Sequence, residues 1–253
     1  MIVKLLSSWV KLSLTIHCLY TKFQRIKGHM KINLQIQMNN KLYLRNPDDS
    51  ELGRNIISHS ILIIKEKGLE DFTFKKLAKS IGTTEAGIYR YFENKRLLLT
   101  YLTAWYWSWL EFQIQTQTKN MKDKKLKVSK IIELVLMRSE NEMVSDYINE
   151  YDLYQIILTD SVKTYHNNKV SEDNKDQLFK PYKDLCALIG DILLEVNPKY
   201  KFPKSLASTI IEVSHCQVYF RHNLPLLTDF GNDKDKNCIV SFVESLVFSC
   251  LGK

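Results

Sequence analysis

Glycine and proline are scarce in this 253-residue chain, at 8 and 5 residues. A sheet protein needs many tight turns, and these are the residues that make them, so their scarcity argues against one. Cys18, Cys186, Cys216, Cys238 and Cys250 are odd in number and include no C-x-x-C pair. That leaves no disulfide framework or zinc cluster, and reads as reduced thiols in a cytoplasmic protein. A Gly-rich phosphate loop, an H-E-x-x-H and a G-x-S-x-G are all missing. His215 and Cys216 are adjacent, so a helix points them to different sides, and His166 has no acidic cluster around it. No enzyme, metal site or cofactor is therefore expected. Long apolar runs are lacking too. Leu5–Tyr20 is interrupted by Lys11 and His17, and Leu97–Leu110 is too short to cross a bilayer.

What is present is apolar residues at three- and four-residue spacing along most of the chain, the mark of helices with a buried face. The expected fold class is all-α. The net charge of +8 is unevenly placed. Residues 1–44 carry seven basic side chains and no acid, residues 45–96 ten basic and eight acidic, and residues 97–253 nineteen and twenty. The excess lies in the N-terminal extension, so the overall basicity says nothing about a nucleic-acid-binding core. Three readings of residues 1–44 stay open. They form a basic arm on DNA, or an amphipathic segment touching a membrane surface through residues 1–27, or a stretch partly untranslated because synthesis starts at Met30 or Met38. A secretory signal fits poorly, since Lys11 splits the apolar run and no small-residue cleavage site follows.

Residues 45–96 are the informative part. Asn46-Pro47-Asp48-Asp49-Ser50 reads as a turn whose Ser50 caps a helix. Ile56, Ile57, Ile61 and Ile64 give that helix one apolar face, and Gly68 ends it. Thr73 caps a short second helix with Phe74, Leu77, Ala78 and Ile81 on one side and Lys75, Lys76 and Lys79 on the other. After Gly82, Thr83 or Thr84 caps a third helix. Its Ile88 and Phe92 face inward, while Ala86 and Arg90 face outward, flanked by Glu85 and Tyr89. Such a tri-helical unit is a helix-turn-helix, whose third helix must be held from behind while its outer face enters the major groove.

The text Phe72 to Leu99, FTFKKLAKSIGTTEAGIYRYFENKRLLL, resembles the tetracycline-repressor (TetR) family of transcription regulators. The resemblance rests on Thr73, Leu77-Ala78, Gly82, Thr84, Tyr89-Arg90-Tyr91-Phe92 and Lys95 at fixed spacing, and covers about residues 50–100. It implies that Tyr89 and Lys95 meet phosphate. Thr73 and Thr84 stand at helix N-termini, which attract phosphate. Arg90 suits a bidentate contact with guanine. Each has a plainer reading beside it: Tyr89 as packing, Arg90 as a solvated charge, the lysines as a solvated face, Thr84 as a cap alone. Glu85 departs from the small residue usual in the family. It can accept from cytosine or repel phosphate, so the operator sequence does not carry over.

From residue 97 on, a C-terminal helical domain for effector binding and dimerisation is expected, joined to the reading head by a long aromatic helix. Helices are expected at about 127–141, 143–164, 175–196, 203–222 and 234–251. Trp105, Trp109 and Phe112 share a face of the linking helix, and Tyr147, Tyr151 and Tyr154 recur at i, i+4, i+7. These six are pocket candidates for an apolar or aromatic small molecule, set against an ordinary core role. The resemblance implies that the last two helices pair across a two-fold axis. The functional expectation is a dimeric, cytoplasmic repressor of double-stranded operator DNA, released by a small-molecule effector. The alternative is an all-helical interaction or enzyme scaffold that has lost DNA binding.

Overall fold

Helix α1, Glu51–Asp71, begins where the Ser50 hydroxyl accepts the Gly53 N–H at 3.1 Å. The computed structural model describes residues 19–26, 29–136, 145–231 and 237–252, with side chains from Ile36 onward. Gly68, at φ 76°, breaks the helical path where the sequence places a stop, and one further turn runs on to Asp71. Helices α2 (Phe74–Ile81) and α3 (Glu85–Tyr89) follow, then α4 (Lys95–Thr118) and α5 (Lys124–Leu136). The remainder comprises α6 (Glu150–Asp160), α7 (Val170–Lys175), α8 (Lys180–Val196), α9 (Pro203–Asn223) and α10 (Asn237–Leu251).

The expected all-α architecture holds from residue 37 on. Ahead of it stands a two-stranded antiparallel hairpin that the sequence reading did not assign, β1 (Leu19–Ile26) and β2 (His29–Ile36), paired from Leu19↔Ile36 to Ile26↔His29. Residues 5–18 of the apolar N-terminal stretch lie outside the described residues. The extension is not separate from the body at its far end. Ile36, Met38 and Leu42 are buried, and the Leu44 N–H donates to the Tyr91 carbonyl at 2.8 Å. Among the described residues no helix is long and apolar enough to cross a membrane.

Several boundaries differ from the expectation, each for a local reason. The helix expected at 143–164 is shorter. Asn149 caps α6 by accepting the Asp152 N–H at 3.0 Å, and a 3-10 turn covers Ser161–Thr164. Tyr147 therefore precedes the helix, and only Tyr151 and Tyr154 keep the supposed spacing. The helix expected at 175–196 starts later, at Lys180, because Gln177 takes a left-handed φ of 61° after α7 ends at Lys175 and Pro181 starts α8 afresh. Residues 137–144, where the expected break near 142 falls, lie outside the described residues.

The linking helix α4 organises the molecule. Every residue from Leu97 to Trp107 is buried, so α4 is packed on all sides, as its all-round apolar composition requires. Its first turns close the core of the reading head, where the Phe92 and Tyr101 rings meet edge-on at 5.5 Å. Its later turns pack against α8 and α5.

Polar bonds join the reading head to the C-terminal helices. Lys65 of α1 pairs with Asp152 at 2.5 Å and lies over the Tyr151 ring. Glu70 pairs with Lys163 at 2.9 Å, and Arg96 with Asp173. The Asp48 carboxylate accepts the Tyr147 hydroxyl, with the Tyr101 hydroxyl 3.5 Å away. Asn39 donates to the Asp176 carbonyl at 2.8 Å, and Lys41 pairs with the Asp176 side chain.

Candidate nucleic-acid interface and an aromatic cavity

The turn between α2 and α3 is built by three short-range devices. Thr73 caps α2, its hydroxyl oxygen accepting the Lys76 N–H at 3.2 Å. Gly82 takes the left-handed conformation, φ 70°, that ends α2. Thr84 caps α3, accepting the Gly87 N–H at 3.1 Å. A Cβ at Gly87 would stand 2.9 Å from the Thr83 hydroxyl, which would have to turn aside to admit it.

Ile88 and Phe92 are fully buried and hold α3 against the head, as does Phe74, whose ring meets Tyr89 edge-on at 5.0 Å. Thr73, Thr84, Glu85, Ala86, Tyr89 and Arg90 are all exposed on the surface this clamp presents. Tyr89 combines the two readings weighed from sequence: its ring packs on Phe74, yet it remains 49% exposed. Lys75, Lys76 and Lys79 extend the exposed cationic surface along α2. Lys95 sits differently from a free phosphate contact. Its Nζ donates to the carbonyls of Leu69 at 3.1 Å and Glu70 at 3.4 Å, closing the end of α1. A cation there also meets the negative end of the helix dipole.

The six aromatic pocket candidates do not gather around one space. Trp105 and Trp109 are buried core, their rings stacked at 6.3 Å, and Phe112 packs on Trp109. Tyr154 is core between Tyr106 and His215. Tyr147 and Tyr151 lie on the seam with the reading head, against Asp48 and Lys65.

A small cavity on the other side of α4 is walled by Trp107, Tyr165, Phe179 and Tyr182 with Thr100, Thr103 and Thr164. At about 10 Å³ it has room for one water molecule. Behind it, the Tyr165 and Tyr182 hydroxyls both donate to Glu212 Oε1, at 2.8 and 2.7 Å. Burial, with the Glu212 carboxylate beside them, pushes both phenols above their ordinary range and the Cys186 thiol up to about 12. Of this group only Trp107 and the two threonines of α4 lie on the linking helix whose aromatic content is evident in the sequence. Tyr165, Tyr182 and Glu212 sit on separate segments that only the fold brings together. A larger, open groove of about 400 Å³ lies between α5 and α10, lined by Leu126, Lys130, Glu133, Val240 and Glu244. Among the described residues no group of His, Cys, Asp and Glu could hold a metal ion.

Residues 56–102 match the family model described as bacterial regulatory proteins, tetR family. No curated protein sequence matches the chain. Similar solved structures include the regulator FadR of Bacillus subtilis, in complex with stearoyl-CoA. It shares 17% identity over 78% of this chain and 97% of its own, at a TM-score of 0.56. A protein of Saccharomonospora viridis in complex with choline shares 13% over 78% and 96%, at 0.56. AibR, in complex with isovaleryl coenzyme A and operator DNA, shares 13% over 77% and 98%, at 0.54. These likenesses establish the fold: an N-terminal helix-turn-helix on a helical C-terminal domain.

Proposed function

We propose, from the match of residues 56–102 to the family model of bacterial regulatory proteins, tetR family, that the protein is a dimeric, sequence-specific DNA-binding regulator. It acts as a repressor in the cytoplasm, performs no catalysis, and is released from operator DNA by a small-molecule effector. The observation that carries this reading is the α3 face, with Ala86, Tyr89 and Arg90 outward and Ile88 and Phe92 buried behind them.

Each exposed group then has a role. Arg90 reads guanine O6 and N7, and Tyr89 gives its hydroxyl to a phosphate. Thr73 and Thr84 bring phosphate to the N–H groups at their helix starts. Ala86 makes the close apolar approach, and Glu85 selects cytosine or excludes other bases. Lys95 has three N–H donors, two of them aimed at carbonyls. The third is left for a phosphate, so this lysine also fixes α1 relative to α4.

Two copies are required because one short helix reads too few bases. Their reading helices must meet successive major-groove faces about 34–36 Å apart, so the operator is near-palindromic. The last two helices support the pairing. Ile239, Val243 and Val247 of α10 are spent on the chain's own core, yet Phe242 is 41% exposed and Leu226, ahead of it, 99%. The effector reading is supported by the structural neighbours, one holding choline and two holding acyl-CoA thioesters.

Selection of bound sequences from a random pool, followed by salt-titrated affinity, tests the reading. A near-palindromic site favoured over bulk DNA is expected. Arg90→Ala should cost about 1–3 kcal/mol and relax one base pair in each half-site. Lys95→Gln should weaken all sequences alike and flatten the salt slope. Equal affinity for every sequence at all salt concentrations favours the scaffold alternative instead. The exposed Glu85 and the near-balanced charge of residues 45–96 give that alternative its footing.

A further inference from the structure

We infer that the cavity walled by Trp107, Tyr165, Phe179 and Tyr182 binds an organic cation, a quaternary or protonated ammonium group. The binding stands on the cavity's own chemistry. The role of that cation as effector rests on the regulator reading above.

The first observation is where the wall's hydroxyl protons go. Thr100 donates to the Arg96 carbonyl at 2.9 Å, Thr103 to the Thr100 carbonyl at 3.0 Å, and Thr164 to the Ser161 carbonyl at 2.6 Å. Tyr165 and Tyr182 donate to Glu212. Every hydroxyl on a residue around the cavity has therefore committed its proton elsewhere, leaving these oxygens with only acceptor capacity. An anion or a hydrogen-bond acceptor finds no hydroxyl donor there, whereas a positive group finds oxygen atoms and aromatic rings.

The second observation is the carboxylate behind the rings. Among the described residues no lysine or arginine pairs with Glu212. It is half-buried, and its polar partners are the two phenols. A phenol that donates to a carboxylate becomes more electron-rich, which strengthens the pull of its ring on a cation. No Lys or Arg lines the cavity to oppose a positive guest or to hold the phosphates of a coenzyme A ester. A carboxylate with two phenol donors and no cationic partner leaves a net negative potential on this side of the rings, which favours a positive guest over a neutral one.

The third observation is position. At about 10 Å³ the cavity is closed on a water-sized space, so an ammonium group must part its walls. Those walls carry the bonds to the reading head. Tyr165 lies two residues after Lys163, which pairs with Glu70 of α1. Leu178 and Phe179 follow Asp173, which pairs with Arg96 at the start of α4. Thr100 and Thr103 are on α4 itself. A guest that spreads the rings thus bears on the contacts that orient α1 and α4, and an effector has to bind the two orientations unequally to shift them.

The experiment is a titration of the full-length protein, followed by tryptophan fluorescence and calorimetry. The probes are choline, tetramethylammonium and benzyltrimethylammonium, the neutral isostere 3,3-dimethylbutan-1-ol, and stearoyl-CoA. Saturable binding of at least one cation is expected, with the isostere weaker by about tenfold or more. Glu212→Gln keeps the size and the acceptor for both phenols. It should weaken the cation by about tenfold and leave the isostere unchanged, with the circular-dichroism melt confirming the fold. Tyr182→Phe should weaken the cation less, since the ring remains. Failure of all three cations to bind overturns the inference. So does equal binding by the isostere, or affinity for the cation that survives Glu212→Gln. Stearoyl-CoA binding alone overturns it while leaving a ligand-responsive regulator standing. Conversely, cation binding in a protein that prefers no DNA sequence refutes the regulator and leaves the site.

Discussion

Gly53 is fixed by what lies over it rather than by its dihedrals. A Cβ there would fall 2.2 Å from the Pro47 carbonyl oxygen, which is backbone and cannot swing aside. Gly53→Ala should therefore destabilise the protein by roughly 1–3 kcal/mol, as overpacking does, read from urea unfolding. The affected contact is the one that lays the Pro47–Asp49 turn along α1, with Arg54 donating to the Asp48 carbonyl at 2.8 Å. Cys186 offers a second check at this scale. Burial and the nearby Glu212 charge raise its thiol to about 12, so at pH 8 it holds almost no thiolate. Iodoacetamide should label exposed Cys250 first and reach Cys186 only as the pH rises toward that value. Glu212→Gln removes one of the two causes, so its Cys186 should react faster at a given pH. An unchanged rate would mean that Glu212 carries no charge beside it.

At the scale of elements, α3 is one and a half turns long and has no stability of its own. It exists because Thr84 caps it, Gly82 turns into it and Ile88 anchors it. At Gly82 a Cβ meets nothing within 4 Å, so Gly82→Ala isolates the cost of the left-handed backbone, about 1 kcal/mol. Urea midpoints should show that loss with an unchanged m-value. These elements were readable in the sequence because their signals are local: a Thr cap, a Gly stop and an apolar pair four residues apart. The failures came where the controlling contact is distant. Tyr147 matched a helical stripe by spacing, yet Asn149 starts the helix after it, and the Tyr147 hydroxyl goes to a carboxylate 99 positions away. Tyr165, Tyr182 and Glu212 share no period, so nothing local could group them. The hairpin was partly legible and was missed: β2 alternates strictly, with Met30, Ile32, Leu34 and Ile36 between His29, Lys31, Asn33 and Gln35, whereas its partner β1 shows no such alternation.

Over the whole molecule, the seam between head and helical body is polar and specific. Asp48 sits at its centre, with burial raising its pKa and the Tyr147 hydrogen bond lowering it. A raised folded-state value means that the stability from this carboxyl is greatest in acid and falls as pH rises through the carboxylate range. Tyr147→Phe removes an opposing hydrogen bond and raises that value further. It should cost about 1–3 kcal/mol near neutral pH, where Asp48 is ionised, and progressively less as acid protonates it. Thermal melts across pH 4–8 would show the difference between variant and parent narrow toward acid, and a constant gap would remove Asp48 from the account. The same variant should blunt effector release more than it weakens operator binding, since it cuts a tie between the halves without touching α3.

The segment after the hairpin has its own consequence. Asn39 and Lys41 both fasten to Asp176, beyond α7, while Met38 and Leu42 are sunk in the core and Leu44 is tied to Tyr91. This stretch works as a guy-rope, anchored to the body at one end and to the base of the reading unit at the other. Severing it by a nick near Asn40 would leave α1 to α10 in place, yet let the reading unit swing more widely. A clipped protein should thus be one that still folds but pays a larger ordering cost each time it settles on DNA.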